Sequence, residues 1–166
     1  MKHTIYKQIN TLDGFAFHDS IIEVITFTEN HISLQFDGAS KFLKAENKYE
    51  FLKKVEIILK YSKIDNMIHQ GYWRETSKGK KHEVKPRIVI PTEYQQLIEK
   101  IPNYCNYIQT IEELPENTEK FKIQFDIGGG GAEFGYDLTV TCDEFVIAWD
   151  DEEQRTYEHK KTTNKN

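Results

Sequence analysis

The spacing of apolar residues predicts a domain built mainly from antiparallel strands. Residues 21–27 are apolar on both parities, which is typical of a strand buried on both faces. After a polar break, Ile32, Leu34 and Phe36 alternate with polar neighbours, so the two segments predict a β-hairpin. The Asp-Gly pair at 37–38 predicts a turn directly after it.

The middle of the chain contains two further strand signals and one helix signal. β-Branched residues favour a strand over 55–63, although Tyr49, Phe51, Leu52 and Val55 could also lie on one face of a helix. The apolar residues at 88–90 predict a short strand. A helix is predicted over 92–101, because Thr92 and Gln95 have capping-box spacing and apolar residues follow at helical intervals.

The last third of the chain shows the clearest alternation. Apolar residues occupy every second position in 121–127, 138–142 and 145–149, which predicts a three-stranded antiparallel meander. Together these elements predict an α+β fold, mainly antiparallel β-sheet with one helix. We expect one globular domain over 1–155, followed by a flexible polar tail at 156–166.

Composition limits the classes of function. The length of 166 residues permits an apolar core without disulfides. No apolar run is long enough to span a membrane. The basic residue near the start is not followed by the apolar stretch of a secretory signal, so we expect a cytoplasmic protein. Cys105 and Cys142 form no metal-binding pair and the histidines are scattered, so the sequence predicts neither a metal nor a cofactor.

Charge is distributed unevenly along the chain. Residues 1–100 balance at +3 and residues 101–166 at −8, for a net charge of −5. An acidic chain argues against nucleic acid, whose binding depends on cations that neutralise phosphates. The acidic third predicts instead a basic protein partner. The candidate contacts are Asp150, Asp151, Glu152 and Glu153. A solvated acidic face that serves only solubility is the alternative.

An aromatic and basic group gives a second candidate contact. Tyr72, Trp73 and Arg74 lie in an otherwise polar, loop-like segment. Tyr, Trp and Arg are the residue types enriched at binding hot spots, so this group predicts contact with a partner. The polar, basic segment at 77–81 that follows predicts a mobile loop.

A glycine run offers the alternative of a ligand site. The run consists of Gly128, Gly129, Gly130 and Gly131. It lacks the lysine and the hydroxyl that a phosphate loop needs, so a flexible connection between two strands is the simpler interpretation. A glycine loop could still close over a ligand together with three nearby carboxylates, those of Asp126, Glu133 and Asp137.

His18, Asp19 and Ser20 are the residue types of a hydrolase triad, in consecutive positions. Adjacent residues of a strand point to opposite faces, and no nucleophile-elbow motif is present, so no catalytic residue is predicted. We expect Asp19 or Ser20 to hydrogen-bond the backbone at the entrance to the first long strand.

The stretch Phe17-His18-Asp19-Ser20, followed by the hairpin to Phe36, resembles the opening of several families of small bacterial proteins. These families begin with an apolar residue, His, Asp and Ser or Cys ahead of a first strand, and some are toxin-immunity proteins. The resemblance implies a compact cytoplasmic binding protein and carries no catalytic residue over.

Two hypotheses of function follow from the sequence. The first is an interaction protein, in particular an immunity-type inhibitor that binds a basic protein partner. The second is a small enzyme or ligand-binding domain that uses the glycine run and its neighbouring carboxylates. A pocket lined by those carboxylates would favour the second hypothesis.

Overall fold

The computed structural model describes residues 5–104, 107–115, 120–128, 135–150 and 155–158. The strands in these ranges are β1 Ile5–Ile9, β2 Phe15–Ala16, β3 Ile21–Phe27, β4 His31–Leu43, β5 Lys48–Lys60, β6 Lys63–His69, β7 Tyr72–Glu75, β8 Lys81–Val84, β9 Arg87–Ile88, β10 Tyr107–Leu114, β11 Phe121–Gly128, β12 Tyr136–Cys142, β13 Glu144–Asp150 and β14 Arg155–Glu158. The helical segments are a 3₁₀ turn at Pro91–Glu93, helix α1 at Tyr94–Ile98 and a 3₁₀ turn at Ile101–Tyr104.

The two longest strands, β4 and β5, form a hairpin with 13 residues on each side, and the sheet extends outward from it. On its inner face Leu34 lies opposite Ile57 and Phe36 lies opposite Val55. These four side chains are at most 2% exposed. Because side chains of a strand alternate between faces, this apolar row fixes the register of the hairpin.

The main sheet is bent so that its two halves face each other. From β4 it runs through β5 and β13 to β1 on one side, and through β3, β10, β11, β12 and β6 to β9 on the other. The rings of Phe121 in β11 and Phe145 in β13 pack edge to face, with centroids 5.4 Å apart. Four strands lie between β11 and β13 in the sheet order, so this contact joins the halves across a shared apolar core.

A short helix lies where the sequence predicts one, but it differs in detail. α1 has five residues and is flanked by the two 3₁₀ turns. Thr92 is not the cap, because Pro91 occupies the first position of the opening turn, where its missing N–H costs nothing. Ile98 and Ile101 are at most 1% exposed and join the core beside β3. No helix in the described ranges is long and apolar enough to cross a membrane.

The predicted C-terminal meander is wrong in its third strand. β11 and β12 pair antiparallel as expected. β13 does not pair with β12, because β6 occupies the other edge of β12. β13 lies instead between β5 and β1. Phe145, Val146 and Ile147 are all at most 5% exposed, so β13 is buried on both faces, which suits a central strand rather than an edge.

The Asp-Gly pair at 37–38 does not form the predicted turn. β4 continues through it to Leu43, and Gly38 adopts a φ of 87° inside the strand. The ring of Phe51 lies over this glycine, 2.9 Å from the position that a Cβ atom would occupy. Gly38 is therefore required by close packing rather than by chain reversal.

Two other boundaries also differ from the prediction. The strand expected over 55–63 begins earlier and ends earlier, as β5. The sheet extends past residue 155, because β14 pairs with the first residues of β5. The segment 156–158 is thus part of a strand, and 159–166 lies outside the described residues.

We expect Gly38→Ala to lower the free energy of unfolding by about 2 kcal/mol, since it adds left-handed strain and a collision with Phe51. Gly79→Ala is the control. Gly79 has a similar φ of 74°, but the nearest neighbour of its Cβ position is 3.8 Å away. The control should lose at most the conformational part, about 1 kcal/mol. Urea denaturation measures both losses, and equal losses would show that Phe51 does not constrain position 38.

Candidate functional site

Residues 71–86, which we call the arm, form a hairpin outside the main sheet. β7 pairs with β8, from Tyr72 opposite Val84 to Glu75 opposite Lys81. Neither strand pairs with the main sheet. In the connecting turn, the Thr76 hydroxyl accepts a hydrogen bond from the backbone N–H of Lys80 at 3.2 Å. The arm is thus an ordered projection, held by its own strand pairing and by its base.

The base of the arm is packed against the body. The half-buried ring of Tyr72 lies edge-on to His69, with centroids 5.8 Å apart, and His69 packs in turn against Tyr136 at 5.1 Å. Any side chain at Gly71 would collide with Pro86, since its Cβ position is 2.6 Å from the proline Cδ. A glycine at this position lets the two ends of the arm lie side by side.

The two faces of the arm differ in chemistry. Trp73 is 65% exposed, and the residue opposite it in the other strand is Glu83. Glu75 shares this face, because it is two positions further along the strand. Arg74 and His82 are opposite each other and occupy the second face. The structure places Trp73 and Arg74 on the surface of the arm and Tyr72 at its base, in a strand rather than the loop-like segment that the sequence indicates.

Cations dominate the arm. The five are Arg74, Lys78, Lys80, Lys81 and Lys85. All are exposed, and none makes an ion pair with another described residue. The sequence identifies a basic segment at 77–81, but the predicted loop is the turn of a hairpin and the first residue of β8.

Two of the predicted ligand carboxylates meet on the outer face of the sheet. Asp126 and Asp137 are directly opposite each other in β11 and β12. The side-chain amide of Gln70 donates hydrogen bonds to both, at 2.8 Å and 2.9 Å. Like charges in opposite positions repel each other, so Gln70 acts as a clamp between them. Sequence reasoning did not identify Gln70, because a lone amide at a strand end carries no motif.

The glycine run is only partly within the described residues. Gly128 ends β11, and a Cβ atom there would lie 2.9 Å from the ring of Tyr107. Gly129, Gly130, Gly131 and Glu133 lie outside the described residues. Within the described ranges, no three His, Cys, Asp or Glu side chains converge as a metal site would require.

A cleft of about 600 Å³ lies on the arm beside Arg74, Glu75 and His82. Two clefts of the body also lie away from the carboxylate pair. The larger, about 560 Å³, opens between the end of β3, the start of β6 and α1, and its apolar lining includes Phe27, Ile64 and Tyr94. The smaller, about 220 Å³, is a depression on the outer face over Ala148. Neither cleft is lined by Asp126 or Asp137, so neither is the carboxylate-lined pocket that would favour the hypothesis of an enzyme or ligand-binding domain.

The His18-Asp19-Ser20 segment is a turn that docks on β10. The backbone N–H of Asp19 donates to the carbonyl of Ile108 at 2.9 Å, and that of Ile108 donates to the carbonyl of Ser20 at 2.8 Å. Ser20 is 2% exposed, and its Oγ has no hydrogen-bond partner among the described residues. The turn is therefore held to β10 by the backbone groups of Asp19 and Ser20, and not by the expected hydrogen bond from one of their side chains.

His18 makes two side-chain contacts in this turn: its Nδ1 lies 3.2 Å from the carbonyl oxygen of Gln109, and its Nε2 lies 3.6 Å from the exposed carboxylate of Asp19. Asp19 is instead distinguished by its backbone, which has a φ of 64°. Aspartate tolerates this left-handed conformation better than most residues.

The remaining candidates have different outcomes. Asp150 ends β13, and its backbone lies opposite Ile5. Asp151, Glu152 and Glu153 lie outside the described residues, so the acidic contact stays a prediction. Cys142 is fully buried. Burial raises the pKa of its thiol to about 12, with smaller contributions from the carboxylates of Asp143 and Glu113. A thiol with this pKa supplies almost no nucleophilic thiolate at neutral pH.

Comparison with protein-family models, with curated proteins and with solved structures finds no match to this chain. The geometry offers two candidate sites, the arm with its exposed aromatic and cationic side chains and the clamped carboxylate pair.

We expect Asp19→Ala to lower the free energy of unfolding by about 1 kcal/mol, because alanine resists the left-handed conformation more than aspartate does. Asp19→Gly should keep the stability of the parent or exceed it, since glycine adopts this conformation without strain. Chemical denaturation compares the two variants. If both lose the same amount, the Asp19 side chain itself stabilises the turn and the backbone explanation is wrong.

Gln70→Ala removes the clamp and leaves two carboxylates facing each other, so we expect it to lower the free energy of unfolding at pH 7 by about 1–2 kcal/mol. Asp137→Asn retains an acceptor for Gln70 but removes the repulsion, and should be at least as stable as the parent. Thermal unfolding at low and high salt measures both variants. A Gln70→Ala variant of unchanged stability would contradict the clamp.

Proposed function

We propose that this chain is an interaction protein and that the arm is its contact element. The observation that carries the proposal is Trp73, a large aromatic side chain held 65% exposed on a projecting hairpin. The body already has a core of its own, so this exposure is not needed to fold the chain. An aromatic anchor on an ordered projection matches the residues that dominate binding at interfaces.

The expected contribution of Trp73 is that of a hot spot. A tryptophan buries on the order of 200 Å² when it is fully covered. Covering the exposed two-thirds of this ring at about 25 cal/mol per Å² would contribute about 3 kcal/mol to binding. The arm is ordered by its strand pairing together with its packed base before any partner arrives, which reduces the entropic cost of association.

The specific form that we propose is an immunity-type inhibitor acting in the cytoplasm. The support for it is the resemblance of Phe17-His18-Asp19-Ser20 to the opening of families that include toxin-immunity proteins. The acidic segment at 150–153 is the proposed contact for a basic region of the partner, supported by the −8 balance of residues 101–166.

A second candidate is a ligand-binding domain or small enzyme built on Asp126 and Asp137. The observation that favours it is the placement of two half-buried carboxylates in opposite positions. Such an arrangement lowers stability, and functional sites often retain groups that do so. The clamp by Gln70 supplies a structural purpose instead. A ligand or activity lost in Asp137→Asn while stability is retained would favour this second candidate.

We expect Trp73→Ala to abolish partner binding while changing the free energy of unfolding by less than about 0.5 kcal/mol, because the ring contributes little to the core. The measurement is quantitative affinity capture from cells that produce the protein, with parent and variant as baits. An immunity function further predicts that the captured protein stops growth when expressed alone. Growth should return when the parent, but not Trp73→Ala, is co-expressed with it.

Tyr61→Ala is the matched control. Tyr61 is 69% exposed, but it precedes β6, whereas the arm follows the other end of that strand. The control should capture the same proteins as the parent. If Trp73→Ala captured them equally well, the arm would not be the contact element.

A further inference from the structure

The arm and the body carry opposite charges. The arm contains five cationic side chains against the carboxylates of Glu75 and Glu83, a balance of +3. Since the net charge of the whole chain is −5, all other residues together balance at −8. The cations of the arm are exposed and have no ion-pair partner among the described residues.

The turn of the arm lies at the opposite end of the hairpin from the base that packs on the body. Each strand of the arm has four residues, which at about 3.3 Å per residue gives a length of about 13 Å before the turn. The Debye length at physiological ionic strength is about 8 Å. Lys78 and Lys80 in the turn therefore lie more than a Debye length along the hairpin from its base, with Glu75 as the carboxylate beside the turn.

We infer that the arm recognises an anionic patch on a partner protein, with Arg74, Lys78 and Lys80 as the anion contacts and Trp73 against an adjoining apolar surface. The inference rests on the proposed function and names the chemistry of its partner. Arg74 faces His82 rather than a carboxylate. The two lysines flank Gly79 in the turn, where one carboxylate, that of Glu75, lies 3.8 Å from the Cβ position of the glycine.

A protein patch fits this arrangement better than a nucleic acid does. A base stacked on Trp73 would bring phosphates next to Glu83 and Glu75, which share its face. A nucleic acid is also charged along its whole length, so it would meet the acidic body as well as the arm. A protein can confine its carboxylates to the region that touches Arg74 and the turn.

The test is binding of the full chain to poly-L-glutamate of about 20 residues, measured by fluorescence anisotropy near 50 mM and 300 mM salt, where screening differs severalfold. We expect saturable binding at low salt. The double variant Lys78→Glu and Lys80→Glu should weaken it at least about tenfold, since each reversal removes one attraction and adds one repulsion. The control, Lys54→Glu with Lys100→Glu, carries the same charge change on exposed lysines of the body and should bind within about twofold of the parent.

Lys78→Gln with Lys80→Gln serves as a second variant if the reversals disturb the hairpin, and should give a smaller loss of the same sign. Equal losses in the arm and body variants would overturn the inference, as would tighter binding to a single-stranded oligonucleotide of equal charge. If Trp73→Ala loses the captured partner but the lysine variants keep it, the charge inference fails while the interaction function stands. If all of them keep it, both fail.

Discussion

The contact of Phe36, Val55 and Trp149 across three neighbouring strands is the packing on which the rest of the body depends. Val55 lies opposite Phe36 on one side and opposite Trp149 on the other. Trp149 also stacks on Tyr6, with ring centroids 5.7 Å apart, and the ammonium of Lys41 lies 3.8 Å from the centre of its ring. This one row therefore ties the central hairpin to the first strand and to the C-terminal third, and its long sequence separations make the fold dependent on non-local pairing.

The body and the arm are stabilised by different interactions. The body has inner apolar rows, with Ile57, Leu59 and Phe145 at most 1% exposed. The arm has four strand pairs and a packed base. Two-stranded hairpins have little stability of their own, so the Tyr72 ring and the close approach at Gly71 are what keep the arm in place. This division lets the exposed face of the arm vary in chemistry without cost to the core.

The elements that could be predicted from sequence are those with local signals. The β3–β4 hairpin follows from alternation at Ile32, Leu34 and Phe36, and the pairing of β11 with β12 follows in the same way. The position of β13 could not be predicted, because alternation indicates a strand but does not identify its neighbour. The turn predicted at Gly38 is wrong for a related reason, since the need for glycine comes from Phe51, a residue 13 positions away in another strand. At the candidate sites, residue type is enough to select Trp73 and Arg74 as candidate contacts. The clamp by Gln70 could not be predicted, because it arises only when three strands come together.

Amide hydrogen exchange of the intact protein tests most directly whether the arm opens separately from a more stable body. Amides of β7 and β8 should exchange through local opening, at least about a hundredfold faster than the hydrogen-bonded amides of Ile57 and Leu59, which should exchange only when the whole body unfolds. The same low protection should be absent from β13, because that strand is paired on both sides. Protection of the arm equal to that of β5 would contradict this division, since it would show that the arm unfolds only together with the core.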